Sequence, residues 1–172
     1  MDHITKPASR RTLRRLASYF REMCGVKQEG VFPVLQCLEK LPDLFEGTVY
    51  SIVEDEELPT QVMAQCEKNN ELGFTIKIKK KIYDGACKGI GAYLGFILHE
   101  ICHVYMYEIG YTPILQRSFS EDVPVYMRVE WQVKALTGEV AIPYEESMGM
   151  SVSQIIKKYN VSRGFALSRR KI

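Results

Sequence analysis

The segment His99-Glu100-Ile101-Cys102-His103 is the part of this sequence best suited to chemistry. Its surroundings predict a helix from Ala92 to Ile109 that stops at Gly110. At about 100° per residue, the two histidines lie only about 40° apart and one turn along the axis, so both imidazoles can reach one ion. Two of the three histidines of the chain fall in this arrangement, which indicates a metal site.

Zinc is the metal that this motif favours, because neutral imidazole binds Zn²⁺ well. Three protein ligands leave a fourth position for water, whose pKa zinc lowers from 15.7 to about 7. Glu100 follows the first histidine and is predicted to be the general base, taking a proton from that water and passing it to a leaving amine. The alternative is a chance motif whose histidines pair with surface carboxylates. Cys102 is another possible ligand, but its direction along the helix favours packing against the core.

A downstream carboxylate is expected to be the third ligand, and the candidates are Glu108, Glu121, Asp122, Glu130 and Glu139. Glu108 is turned about 140° from the second histidine and is expected to face away. Glu121 and Asp122 lie where a helix is predicted to begin, a position at which capping and the helix dipole explain acidic residues. Glu130 is predicted to lie in mid-helix among apolar residues, where a carboxylate is costly unless paired or bound to metal. A surface glutamate remains the alternative for Glu130.

Other helices are indicated by apolar residues at helical spacing. They are expected from Leu13 to Cys24, ended by Gly25; from Pro33 through Leu41; and from Asp122 and Pro124 to about Thr137. The first helix also carries four arginines, which we interpret as a solvated face, with phosphate contact as the alternative.

Strands are predicted in the middle of the chain, from Val49 to Glu54, Gln61 to Cys66 and Phe74 to Lys79. The last alternates apolar residues with lysines, so one face should be buried. Its lysines suggest a solvent-facing or edge strand, because lysine discourages unwanted strand pairing. We therefore expect Phe74 to Ile78 to form the rim of the cleft and to hold substrate by strand addition.

The composition excludes several classes of protein. The chain has 172 residues with 23 Lys and Arg against 21 Asp and Glu, a net charge of +2 that gives no global field to recruit nucleic acid or a membrane. No run approaches the roughly 18 to 20 apolar residues of a membrane span. The five cysteines are an odd number with no C-x-x-C pair, which argues against a disulfide framework. These features predict a cytoplasmic protein in a reducing compartment.

Several stretches resemble the ImmA/IrrE family of metallo-endopeptidases, small bacterial and phage-borne proteins often associated with a helix-turn-helix repressor. They are Phe32-Pro33-Val34, Phe74 to Ile78, Ile82-Tyr83-Asp84-Gly85-Ala86 before the motif helix, and Glu130-Trp131-Gln132-Val133-Lys134-Ala135-Leu136-Thr137-Gly138-Glu139 with Ile142-Pro143. The resemblance covers nearly the whole chain. It implies that Glu130 is the third zinc ligand and that the substrate is a partner repressor, cut to release gene expression.

The resemblance fails in one place near the motif. Between Gly89 and Leu98 the family usually has a polar segment with arginine and threonine, whereas this chain is apolar and rich in glycine. This difference affects none of the candidate ligands, but the shape of the substrate cleft cannot be predicted from the resemblance. The sequence also does not decide which residue stabilises the oxyanion. The candidates are Tyr105, Tyr107, Tyr111, Tyr126 and Arg128.

The C-terminal part has the spacing of a helix-turn-helix, with Ile156, Asn160 and Ala166 as buried residue, turn and later small residue, and Val161-Ser162 opening the second helix. Local positive charge comes from Arg163, Arg169, Arg170 and Lys171. We expect two helices that close the core, with DNA binding as the minority interpretation.

Together these patterns predict an α+β, mostly helical, zincin-like domain over residues 1–145 with a small antiparallel sheet, followed by helix-turn-helix-like helices over residues 146–172. The predicted function is zinc-dependent peptide-bond hydrolysis in a protein partner, with the metal on His99, His103 and Glu130 and the base at Glu100. The alternative is a non-enzymatic regulator that keeps zinc structurally and binds DNA or a repressor through its C-terminal helices.

Overall fold

The computed structural model describes residues 3–69, 72–114 and 123–171. The fold is α+β and mostly helical, as predicted. Its helices are α1 (Arg10–Met23), α2 (Val34–Glu39), α3 (Leu41–Leu44), α4 (Lys80–Cys87), α5 (Gly91–Glu108), α6 (Val129–Ala141), α7 (Tyr144–Ser147), α8 (Val152–Tyr159) and α9 (Arg163–Arg170). Its strands are β1 (Val49–Val53), β2 (Ala64–Lys68) and β3 (Phe74–Lys79).

The sheet is mixed, which corrects the prediction of an antiparallel one. In the described residues it has the order β1-β3-β2, with β1 parallel and β2 antiparallel to β3. The β2–β3 hairpin accounts for the antiparallel pair. The chain leaving β1 crosses to the far side before it begins β2, so β3 returns between them and runs parallel to β1. Hydrophobic alternation predicts which face is buried but carries no information on strand direction.

The lysines of β3 do not mark an edge, and that prediction is wrong because β3 is the central strand. Ile76 and Ile78 are fully buried, as the alternation predicts. Lys77 forms an ion pair with Glu67 of the neighbouring strand, with 2.5 Å between Nζ and Oε1. Lys79 is buried, and its ammonium donates to the Pro59 carbonyl at 2.8 Å. Lys79 therefore has its acceptor inside the fold, whereas Lys77 pairs at the surface, on the solvent-facing side that the sequence predicts.

Most predicted helices form within a few residues of the predicted bounds. Helix α1 begins after Ser9, whose hydroxyl caps the amide of Thr12, and is followed by Gly25 at φ +71°. The segment after Pro33 forms two short helices, α2 and α3, rather than one. Helix α6 begins at Val129, later than predicted, after a 3₁₀ turn over Val125–Met127. The predicted start at Asp122 lies outside the described residues.

Helix α5 lies at the centre of the molecule. It packs against α2, α4, α6, β2 and β3. Seven of its residues are buried, which include Ile97, Ile101 and Tyr105. Cys102 is fully buried among them, as predicted, and burial raises the pKa of its thiol to about 12. The helix that carries both motif histidines is therefore fixed by the core on several sides.

The C-terminal helices pack onto the rest of the molecule. Asn160 has left-handed backbone (φ 51°) between α8 and α9, and Ser162 caps α9, so the predicted turn is confirmed. Ala166 is fully buried as predicted, whereas on α8 the buried isoleucine is Ile155 rather than Ile156.

One basic residue of this region is not on the surface. The guanidinium of Arg169 is buried and donates to both carboxylate oxygens of Glu139, at 2.8 and 2.7 Å. Arg163, Arg170 and Lys171 are exposed. Arg169 is therefore a structural residue and adds nothing to the basic surface on which the DNA-binding interpretation depends.

Among the residues described, no helix has the length and apolar character that crossing a membrane requires.

Candidate metal centre

The two motif histidines lie on one side of α5, as the helical spacing predicts. Their Nε2 atoms are 3.2 Å apart, and their rings are nearly perpendicular at 84°. Both side chains are about one-fifth exposed, at 21% and 22%. The imidazoles therefore converge on one point at the protein surface.

Glu130 completes this group from a second helix. One of its carboxylate oxygens lies 3.1 Å from Nε2 of His103 and the other 3.4 Å from Nε2 of His99. Hydrogen bonds from these two histidines hold the pKa of the Glu130 carboxyl well below its usual range. The predicted residue does lie with the two histidines, but the reason given for choosing it was wrong. Glu130 lies in the first turn of α6 with 42% of its side chain exposed, not buried in mid-helix.

The spacing of these donors fits a tetrahedral metal ion. Bonds of 2.0–2.2 Å to imidazole nitrogen and carboxylate oxygen keep neighbouring ligand atoms roughly 3.3 Å apart. The measured separations are 3.2, 3.1 and 3.4 Å. Among the described residues, His99, His103 and Glu130 form the one group of three such side chains close enough to hold an ion. They are a candidate metal site whose donor set suits a divalent cation.

The other predicted third ligands do not join this group. Glu108 is exposed at the end of α5, as expected from its direction. Glu139 is held by Arg169 and also accepts from Nε of Arg14 at 3.3 Å. Glu121 and Asp122 lie outside the described residues.

Glu100 lies beside the histidines, on the side that faces the sheet. Its Oε2 accepts a hydrogen bond of 2.8 Å from the backbone N–H of Cys66 in β2. Burial raises the pKa of Glu100, while His103, His99 and the Cys66 amide oppose that rise. A carboxylate whose proton affinity is raised beside a metal site has the properties of a general base.

A cavity of about 600 Å³ opens over these residues. His99, Glu100 and His103 line it from α5. Cys66 and Lys68 of β2 line it on the side where Glu100 is bound, and Val129 and His3 line it beside Glu130. The candidate metal site therefore opens into a cleft that is lined by β2 near Glu100 and by the N-terminal segment near Glu130.

Strand β2, not β3, forms the edge of the sheet at this cleft, which corrects the predicted place for strand addition. Backbone bonds join Lys79 to Met63 and Asn69 to Gly73. The antiparallel alternation then turns the backbone groups of Ala64, Cys66 and Lys68 away from β3. Both edges of β3 are already paired, so it cannot accept another strand.

The candidates for oxyanion stabilisation lie in different places relative to the cavity. Tyr107 and Tyr111 line the cavity. The Tyr105 hydroxyl instead donates to the carbonyl of Leu16 at 3.0 Å. Neither Tyr126 nor Arg128 is among the described residues that line the cavity. His3 also lines the cavity. The sequence did not predict this position, because no local spacing relates residue 3 to the motif.

The apolar segment that departs from the family pattern faces away from this cleft. None of the described residues from Gly89 to Leu98 lines the cavity. Instead, the carbonyl of Gly89 accepts from the side chain of Asn160 at 3.0 Å. A Cβ on Gly91 would overlap the Asn160 carbonyl oxygen and lie 2.9 Å from its carbonyl carbon. Gly91 therefore allows the close approach of the turn between α8 and α9.

No protein-family model matches the chain, and neither a curated protein nor a solved structure does. The resemblance to the ImmA/IrrE family therefore rests on the sequence stretches named above and stays a prediction.

Proposed function

We propose that this protein is a zinc-dependent endopeptidase that hydrolyses a peptide bond in a protein partner. The observation that carries the proposal is the convergence of His99, His103 and Glu130 at tetrahedral ligand spacing beside Glu100. The H-E-x-x-H order of the motif supports the same reaction, because it supplies two ligands and a base from a single helix.

Two imidazoles and one carboxylate are a ligand set that catalytic zinc sites use. A bound Zn²⁺ would polarise the scissile carbonyl and lower the pKa of the attacking water. The three side chains would hold that ion, and all three line the cavity. The proposal of zinc over other divalent metals rests on this donor set and on the resemblance.

Glu100 takes a proton from the attacking water and delivers it to the leaving nitrogen. Burial favours this exchange, because it raises the pKa of the Glu100 carboxylate and so its affinity for the water proton. When Glu100 turns to the water, the Cys66 amide that it binds is released. That amide then pairs with a carbonyl of a peptide laid along the free edge of β2.

The substrate that the resemblance favours is a repressor of the helix-turn-helix class, cut at one or a few bonds. Among the described residues, β2 has no strand on its outer side, which supports an extended segment of such a protein as the cleaved part. We place the reaction in the cytoplasm, since all five cysteines are free thiols.

Co-expression with the repressor encoded next to its gene tests the proposal. The wild type should cut the partner, and Glu100→Gln should retain zinc yet leave the partner intact, because general-base help is commonly worth about 10² to 10⁴ in rate. If transcriptional release persisted in the Glu100→Gln strain with the partner uncut, catalysis would be abandoned. The regulator interpretation would then stand in its place.

Metal analysis tests the site separately from the reaction. The purified protein should carry one zinc per chain, and His99→Ala should lose it. Glu130→Gln should weaken zinc binding, whereas Glu108→Gln, an exposed carboxylate at the end of the same helix as the histidines, should not. Protein never exposed to a chelator that contains almost no metal would refute the site.

A further inference from the structure

His3 is held at the wall of the metal cleft by the backbone around it. Its carbonyl accepts a 2.8 Å hydrogen bond from the amide of Val129, the first residue of α6. Ile4 pairs with both Ile114 and Arg128. The amide of Thr5 donates to the carbonyl of Met127 at 2.8 Å. The N-terminal segment is therefore fixed next to the start of the helix that carries Glu130.

The imidazole of His3 is available to a ligand. The residue is exposed and lines the cavity together with the candidate metal ligands. Within residues 3–69, 72–114 and 123–171, its ring nitrogens have no hydrogen-bond partner. The backbone of His3 is thus ordered while its donor is unused.

His3 and Glu100 enter the cleft from different walls. Glu100 is bound to β2 through the Cys66 amide, whereas His3 is bound to the start of α6. The candidate metal ligands come from two helices, His99 and His103 from α5 and Glu130 from α6. A scissile carbonyl bound at the metal site lies in the cavity that both Glu100 and His3 line.

We propose that His3 donates a hydrogen bond to the oxygen of the scissile carbonyl as negative charge develops on it. The proposal rests on the proposed function and identifies a further catalytic residue for it. Water oxygen bonds to the carbonyl carbon, Glu100 accepts the water proton, and the negative charge passes to the carbonyl oxygen, which His3 stabilises. The carbon–nitrogen bond then breaks, and Glu100 returns the proton to the leaving nitrogen. His3 undergoes no net proton transfer, and an imidazole has an N–H donor whether neutral or charged.

The two tyrosines of the cavity are less suited to this role. The Tyr107 hydroxyl lies 3.0 Å from Nζ of Lys68, which holds it at the β2 wall, the same side as Glu100. The ring of Tyr111 is covered by Nζ of Lys6, at 4.1 Å from its centroid. His3 is the cavity donor whose backbone is bound beside Glu130, away from the attachment of Glu100 to β2.

Kinetics of His3 variants test this role. The substrate is a fluorescence-quenched peptide that spans the bond cut in the co-expression experiment. Loss of an oxyanion donor costs about 10² to 10³ in kcat, so His3→Ala should lower kcat by that factor with KM and zinc content nearly unchanged. His3→Gln should recover part of kcat, because its amide is also a donor. Lys6→Ala, in the same segment, is the control and should keep the wild-type kcat.

A second measurement does not depend on turnover. In zinc-loaded Glu100→Gln protein, the ring nitrogens of the three histidines can be followed by long-range ¹H–¹⁵N spectra during titration with the same peptide. The signals of His3 should shift on binding. If the peptide binds without moving them, or if kcat of His3→Ala equals that of the wild type, the role of His3 is refuted and the peptidase remains. If the wild type cuts no partner, the proposed function fails and the role of His3 fails with it.

Discussion

Replacing Gly91 with alanine tests how the C-terminal helices attach to the helix that carries the metal ligands. Gly91 is the first residue of α5 and lies under the turn between α8 and α9. An added Cβ would overlap the carbonyl oxygen of Asn160 and lie 3.0 Å from the carbonyl carbon of Val161. Both neighbours are backbone atoms, so no flexible side chain can move aside.

The expected cost follows from this contact. Overpacking of a close interface typically costs about 1–3 kcal/mol. The gain in helix propensity is small at the first helical position, since glycine is unfavourable mainly in helix interiors. Gly95 is the matched control on the same helix, because a Cβ added there would have nothing within 4 Å among the described residues. Gly95→Ala should therefore gain up to about 1 kcal/mol.

Urea unfolding followed by circular dichroism measures both changes. We expect Gly91→Ala to lower the free energy of unfolding by about 1–3 kcal/mol and Gly95→Ala to raise it. Zinc content should be unchanged in Gly91→Ala, because the first histidine lies about 12 Å further along the helix at 1.5 Å per residue. A Gly91→Ala protein as stable as Gly95→Ala would refute the close packing of the C-terminal turn on α5.

Three further outcomes are expected. Arg169→Met should lower the free energy of unfolding by up to about 3–5 kcal/mol, because it leaves the buried carboxylate of Glu139 with only the 3.3 Å contact to Arg14. Exposed Arg163→Met should change it by less than about 0.5 kcal/mol, and equal denaturation midpoints would contradict the buried pair. Hydrogen peroxide should join Cys24 to Cys37 before any other pair, since their Sγ atoms are 3.7 Å apart; peptide mapping without reductant identifies the bond, and a different first pair would refute it. Burial raises the pKa of Glu100 in the metal-free protein, because the ionised carboxylate is costly to bury. The free energy of unfolding therefore falls as pH rises through that pKa and the group ionises. Glu100→Gln should therefore melt at a higher temperature than the wild type above neutral pH, with the difference vanishing near about pH 4, and a pH-independent difference would contradict this reasoning.

The features that could be predicted from the sequence are those that depend on near neighbours. The shared direction of His99 and His103 follows from helical geometry alone. The end of α5 follows from Gly110, which has φ +86°. The buried face of β3 follows from the alternation of its side chains.

Features that depend on distant partners were predicted poorly. The central position of β3 is set by β1 and β2, and Lys79 finds its acceptors about twenty residues away in sequence. Helix α4 was missed, because its lysine-rich start reads as a continuation of the preceding strand. His3 reaches the cleft through backbone pairing with residues more than a hundred positions later. No periodicity or motif spacing contains such information.

The attachment of His3 beside Glu130 has a practical consequence for how the metal content can be measured. Any segment fused at the amino end would leave the fold at the wall of the cleft, next to the candidate ligands. A polyhistidine purification tag placed there would bring extra imidazoles within reach of the ion and compete with His99 and His103 for it. Zinc stoichiometry measured on such a fusion would report the tag as well as the site. A tag after the exposed end of α9, or an untagged protein, separates the two.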